Sequence, residues 1–205
     1  MMTYSNLNSD ISPLIISFYT DDEDYPEHAK LLSEDCERLG LDYYIEEKPS
    51  TRNYKHNCNI KPFFIKKTIE KFKKPVLWID VDGSIISLPE LFFDNKMLEY
   101  DMAANCRAND ATKIHVGSMW FNYTKSTISL IDDWCESVVS GGIDDGQFNS
   151  IWKKHKDKIQ FYKLPQNYFV VLKPSNLPLP DHTCIVHRLS NTELKRKEKY
   201  KSKKK

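Results

Sequence analysis

No stretch of this 205-residue sequence is long and apolar enough to cross a bilayer, and none reads as a secretion signal. A membrane span is therefore not expected, and the Asn122-Tyr123-Thr124 match to a glycosylation sequon reads as coincidence. No charge of one sign dominates: 30 Lys and Arg stand against 29 Asp and Glu, a formal +1. That argues against a generally basic nucleic-acid binder. Aromatics such as Tyr4, Tyr43, Tyr44 and Tyr54 are not interleaved with Arg or Lys as such a binder would have them. The five cysteines (Cys36, Cys58, Cys106, Cys135, Cys184) are scattered, odd in number and without a Cys-x-x-Cys pair. Neither a zinc site nor a disulfide framework is expected, and reduced thiols in a cytoplasm fit best. Repeats and signs of a second domain are missing too. The one local charge bias is a basic run ending at Lys205, which makes residues 191–205 a solvated, disordered tail behind a single domain of residues 1–190.

The most informative stretch is Lys74-Pro75-Val76-Leu77-Trp78-Ile79-Asp80-Val81-Asp82-Gly83, an apolar run ending in two aspartates one residue apart. A buried strand that delivers this pair places two carboxylates at the rim of a sheet. Close carboxylates repel, so a fold that keeps them together has a cation or a reaction for them to serve. Upstream, residues 13–19 and 41–45 read as strands. Residues 25–39 and 60–72 read as helices, the first started by Asp22 or Asp24 and stopped by Gly40. Residues 1–12 read as loose, and 46–59 as a polar loop carrying Pro49, Arg52 and His56. The order strand, helix, strand, helix, strand predicts an α/β fold with a mostly parallel, Rossmann-like sheet flanked by helices. Ligands of such sheets bind beyond the carboxyl ends of the strands, where Tyr19, Thr20, Asp80, Val81 and Asp82 fall. The C-terminal half is more mixed. Strands are expected at 101–104, 113–121, around Phe161, at 169–172 and at 184–187, and helices at 126–138 and from Asp144 or Asp145 to Trp152.

The acid pair alone fits two chemistries, sugar transfer and phosphate hydrolysis. Asp80-Val81-Asp82-Gly83-Ser84 resembles the first motif of the haloacid-dehalogenase-like phosphatases, in which Asp80 would be the nucleophile and Asp82 the acid/base beside Mg2+. Placement argues against it, because that motif usually sits on the first strand and here two strand-helix units precede it. A nucleotide- or nucleic-acid-binding protein using the basic tail is a third reading, one that salt-sensitive oligonucleotide binding would support.

The order of motifs resembles the GT-A-fold nucleotide-diphospho-sugar transferases. It runs from Asn59-Ile60-Lys61-Pro62-Phe63-Phe64-Ile65 through the Asp-x-Asp strand to Leu88-Pro89, then to Gly117-Ser118-Met119-Trp120-Phe121-Asn122, Asp144-Asp145-Gly146-Gln147-Phe148 and the late His187. Small members that glycosylate capsid proteins of algal viruses are the nearest likeness. The resemblance implies a soluble, metal-dependent transferase moving sugar, with retention of configuration, from a UDP-sugar to a glycan or glycoprotein, in a host cytoplasm if viral. It implies Mn2+ or Mg2+ held by Asp82 and His187, with Asp80 as ligand or ribose contact. By the same resemblance Tyr19 and Thr20 meet the base. Arg52 and Lys61 are candidates for base or phosphate contacts. Asp144, Asp145 and Gln147 fall where the family contacts donor-sugar hydroxyls near the reacting carbon, although Gly146 departs from the commoner Asp-Gln spacing.

Overall fold

The structure, a computed structural model, describes residues 3–6, 13–107, 110–138, 143–172 and 178–188. Its elements in chain order are β1 (Thr3–Asn6), β2 (Leu14–Thr20), α1 (Tyr25–Leu39), β3 (Tyr43–Lys48), α2 (Tyr54–Cys58), α3 (Lys61–Phe72), β4 (Val76–Ile79) and β5 (Gly83–Ile85). They continue with β6 (Met102–Arg107), β7 (Asp110–Phe121), α4 (Lys125–Ser137), α5 (Asp144–His155), β8 (Phe161–Lys163), β9 (Val170–Val171) and β10 (Ile185–His187). Seven strands form one sheet in the order β1-β3-β2-β4-β7-β6-β8. Five of them, β3, β2, β4, β6 and β8, run the same way, while β1 and β7 are reversed. The expected mostly parallel α/β sheet is thus present, with its irregular half at the β7 side. A second sheet, β5-β10-β9, has three short strands.

Local chemistry explains the regular half. β2 and β4 are buried throughout, and their continuous apolar sequences are what a strand covered on both faces requires. Alternation along β4 sends Val76 and Trp78 into one cluster, with Phe64, Trp134 and Phe148, and Leu77 and Ile79 into the other, with Leu32, Trp120 and Ile185. Truncating one of the fully buried aromatics to alanine costs about 3–5 kcal/mol. α1 buries Ala29, Leu32 and Cys36 and ends at Gly40, whose φ of 65° is the left-handed conformation glycine adopts without penalty. Asp24 occupies the position before α1 but makes no capping hydrogen bond.

Several expectations change. β1 lies inside the stretch read as loose and pairs antiparallel with β3. The loop read at 46–59 contains α2, capped by Asn53, whose side chain accepts from the amides of Lys55 and His56. The tail 191–205 lies outside the described residues. All five cysteines are free. The Asn122 side-chain amide donates to the carbonyls of Leu98 and Tyr100 at 3.0 and 3.1 Å, so its nitrogen is already engaged. Among the described residues no helix is long and apolar enough to cross a membrane.

Candidate active site

β4 ends at Ile79, and the chain turns at once. The Asp80 amide donates to the Gly117 carbonyl and the Gly83 amide to the Asp80 carbonyl, both at 2.7 Å, which folds Asp80-Val81-Asp82 into a tight turn. The turn passes the chain from the large sheet into β5. There β10 pairs antiparallel, with His187 opposite Gly83, and the Arg188 amide donates to the Asp82 carbonyl at 3.0 Å. This register carries a histidine more than a hundred residues away in sequence to the acid pair.

The three residues expected to hold a metal do not converge. His187 Nδ1 lies 3.6 Å from Asp82 Oδ1, too long for a hydrogen bond, and that buried oxygen has no hydrogen-bond partner among the described residues. His187 Nε2 is 2.6 Å from the Ser118 hydroxyl, which fixes the ring. Asp80 has one oxygen committed elsewhere. Its Oδ1 accepts from Trp78 Nε1 at 2.9 Å and meets Lys61 Nζ at 2.7 Å. Among the described residues no three His, Cys, Asp or Glu side chains are grouped closely enough to cage a metal ion.

Lys61, at the first turn of α3, is buried, and its ammonium bridges Asp80 and Asp144, the latter at 2.5 Å. Burial alone would push its pKa down, but Asp144 and Asp80 outweigh it and the net direction is up. Lys61 is therefore charged and spoken for, a brace between the Asp80 turn and the start of α5 rather than the base or phosphate contact the sequence proposed. Asp145 is paired with Arg107 from the end of β6. Gln147 departs furthest from expectation. It is buried beside Phe148, both its amide atoms lack hydrogen-bond partners, and it does not border the cleft. α5 starts one residue before Asp145, so Gln147 falls on the part of the helix that packs inward.

A cleft of about 620 Å³ opens above these residues, lined by Tyr19, Thr20, Arg52, Lys61, Asp80, Val81, Asp82, Asp144, Asp145 and His187 among others. The sequence thus named much of its wall. The loop bearing Arg52 is fastened to the end of β2 by the Ser50 hydroxyl on Asp22 at 2.6 Å and the Ser50 amide on Asp21 at 2.8 Å. Arg52 itself holds a left-handed φ of 55°. Sequence reading missed Tyr54 and Cys58 on α2, and His115, Phe169 and Arg188. Burial raises the Tyr54 phenol and pushes the Cys58 thiol up to about 12, so both are neutral. Phe169 is sandwiched between His115, stacked at 4.2 Å, and His187 at 4.5 Å. Burial and the nearby Arg107 lower the His115 pKa. A signal for His115 existed: it lies two residues before Gly117 on a strand.

No protein-family model matches the sequence, and no curated protein matches it either. Solved structures do. A glycosyltransferase involved in the glycosylation of the major capsid of PBCV-1 superposes with a TM-score of 0.64 at 15% identity, over 93% of this chain and 99% of that one. The fold is that of the GT-A glycosyltransferases. The apo form of the glycosyltransferase GlyE of Streptococcus pneumoniae TIGR4 gives a TM-score of 0.64 at 13% identity, over 89% of this chain and 55% of its own. The galactosyltransferase LgtC, in complex with donor and acceptor sugar analogs, gives 0.56 at 9% identity, over 87% of each chain.

Within this GT-A fold, Gly117 is the tightest point of the cleft. A Cβ there would lie 2.8 Å from the Phe169 ring, 3.2 Å from the His187 ring and 3.3 Å from Asp80 Oδ2. Gly117→Ala is expected to displace the Phe169 and His187 rings and to destabilise the protein by about 1–3 kcal/mol. A urea titration checks this; unchanged stability would mean that the cleft tolerates the methyl group.

Proposed function

We propose that this protein transfers a sugar from a nucleoside diphosphate sugar, a UDP-sugar, to a hydroxyl of a glycan or glycoprotein. In this reading Asp82 and His187 hold Mn2+ or Mg2+. The observation that carries the reading is the Asp82 carboxylate oxygen, buried, without a donor and turned towards an imidazole nitrogen at 3.6 Å. A carboxylate oxygen and an imidazole suit Mn2+, and a divalent ion held by few protein groups completes its shell with phosphate oxygens and water. The charge of the cleft points the same way. Six carboxylates line it (Asp22, Glu23, Asp80, Asp82, Asp144, Asp145) against three Lys or Arg, one of which, Lys61, is committed to two of those carboxylates. A diphosphate entering such a cleft needs a compensating cation. When bound, that ion offsets the negative charge building on the diphosphate as the sugar departs.

The remaining roles follow from position. Tyr19 and Thr20 at the end of β2, with Arg52 above them, form the nucleoside end of the cleft, and Asp80 lies where the ribose passes. Asp144 and Asp145, at the first turn of α5, face the donor-sugar hydroxyls; Lys61 and Arg107 hold them in place. Because each of these carboxylates already has a cation, neither serves as a free general base or nucleophile, which supports retention. The bond between the anomeric carbon and the diphosphate oxygen breaks with its electron pair on that oxygen. The acceptor hydroxyl bonds to the carbon on the same face, and its proton goes to the departing diphosphate oxygen. Phosphatase chemistry gains no support: the solved structures this chain resembles are glycosyltransferases, and Asp80 Oδ1 is engaged by Trp78 and Lys61.

Thermal unfolding with UDP, GDP and their sugars, in Mn2+ and in EDTA, tests the proposal. UDP with Mn2+ should raise the midpoint, with a stabilisation of about 2.7 kcal/mol at a hundred times Kd, and EDTA should abolish the effect. No nucleotide effect, together with Mg2+-dependent phosphatase turnover lost in Asp80→Asn, would sink it.

A further inference from the structure

β5 is an edge strand of the small sheet. β10 pairs with one side of it, and among the described residues no strand covers the other. The cross-strand bonds around it are the Ile86 amide on the Cys184 carbonyl at 2.8 Å and the Arg188 amide on the Asp82 carbonyl at 3.0 Å. Antiparallel geometry then turns the amide and carbonyl of Ile85 away from β10. Ile85 is fully buried, so both groups need partners there. α1 supplies them from its side chains. Asp35 Oδ2 accepts from the Ile85 amide at 3.0 Å, and Arg38 Nη2 donates to the Ile85 carbonyl at 2.6 Å. The same nitrogen reaches Asp35 Oδ1 at 2.8 Å. Three residues apart, the two side chains share one face of α1. They offer β5 an acceptor and a donor where a neighbouring strand would.

We propose that Asp35 and Arg38 are positioning residues: standing in for a missing strand, they hold β5 in place and so set Asp82 against His187. β5 begins at Gly83, directly after Asp82, and Gly83 is paired in register with His187. Where β5 stands therefore decides how far the Asp82 carboxylate lies from the imidazole, and α1 fixes β5 from the side opposite β10. The task of Asp82 and His187 rests on the transferase reading above; the hold on β5 does not. The Asp35–Arg38 ion pair is itself partly in solvent, with the arginine side chain 50% exposed, and is worth little as an ion pair. Its use is to aim two polar groups at a buried backbone, where an unpartnered amide or carbonyl is costly. Neither residue borders the cleft, so both act through β5 and not on a ligand.

The experiment measures amide hydrogen exchange by NMR, and binding of UDP and uridine in Mn2+, for the wild type, Asp35→Ala, Arg38→Ala and the conservative Asp35→Asn. In both alanine variants the Ile86 and Arg188 amides, which join β5 and β10, should exchange about tenfold faster, while the amides of β4 keep their wild-type rates. UDP with Mn2+ should bind about tenfold more weakly and uridine equally well. Asp35→Asn keeps an acceptor for the Ile85 amide and should lose less. Unchanged exchange at Ile86 and Arg188 would overturn the proposal. An equal acceleration in β4 would overturn it too, because it marks a general loss of stability. Faster exchange at the two amides with UDP affinity unchanged would mean that α1 holds β5 but does not position the site. If the wild type binds no UDP in Mn2+, the transferase reading falls, and the exchange rates alone decide whether α1 holds β5.

Discussion

Replacing Asp82 by alanine should abolish Mn2+-dependent nucleotide binding and lower turnover by about a thousandfold or more, without loosening the protein. The first half follows from the proposed chemistry, in which the carboxylate is the site's principal hold on the ion, and loss of such electrostatic support costs at least that much. The second half follows from geometry. Asp82 Oδ1 accepts no hydrogen bond, and its contact with His187 Nδ1, at 3.6 Å, is longer than one. The Asp82 backbone, which anchors Arg188, is untouched by the substitution. Removing an unsatisfied buried acceptor relieves a desolvation cost, so the ligand-free variant should melt at the wild-type temperature or above it. Loss of activity with retained or increased stability distinguishes a ligand carboxylate from a structural one. A marked fall in the melting temperature would contradict the assignment. His187→Ala is a less clean test, because it also strips Ser118 of its partner.

Lys61→Met should do the reverse and damage the fold first. The ammonium is buried and is the one cation bonded to both Asp80 and Asp144 among the described residues. Without it, Asp80 and Asp144 lose the cation they share; breaking a buried ionic pair costs about 3–5 kcal/mol, and the cost is smaller here because the Asp80 side chain is 35% exposed at the cleft. The pH range follows from the sign of the shift. The Lys61 pKa is raised above its ordinary 10.5, so its contribution is fully present below that value and is lost only as the pH climbs through the higher, folded-state pKa. A urea titration at neutral pH therefore sees the whole effect. Adding Asp144→Asn to Lys61→Met removes one of the stranded charges and should restore part of the stability. If the double variant is no more stable than the single one, the two carboxylates are not what Lys61 holds together.

What the sequence disclosed was local. The helix over 25–39 was legible because Ala29, Leu32 and Cys36 repeat at helical spacing and Gly40 supplies the one conformation that ends it. The strand before Asp80 was legible because a run buried on both faces leaves no polar residue in it. The Asp-x-Asp pair announced itself by its charge. What stayed hidden depends on contacts distant in the chain. Strands at 169–172 and 184–187 were expected and contain β9 and β10, but the three-residue β5 was not read, and nothing local states that His187 faces Gly83. The pairing of Lys61 with Asp80 and Asp144 was not legible either, because a lysine's partners are set by which strands and helices meet around it. Gln147 lies one turn along α5 from Asp144 on the same buried face, and only the packing around that turn puts Asp144 at the cleft and Gln147 away from it.

The seam between β5 and β10 is only three residues long, yet the proposed site exists only while it is closed. β5 starts where the acid turn ends, and β10 carries both His187 and the link to Arg188. A brief parting of these strands would take the imidazole away from Asp82. On the proposed function, occupancy and closure are one equilibrium: a nucleotide bound across the seam would hold it shut, and its lifetime would be tied to how often so short a ladder opens.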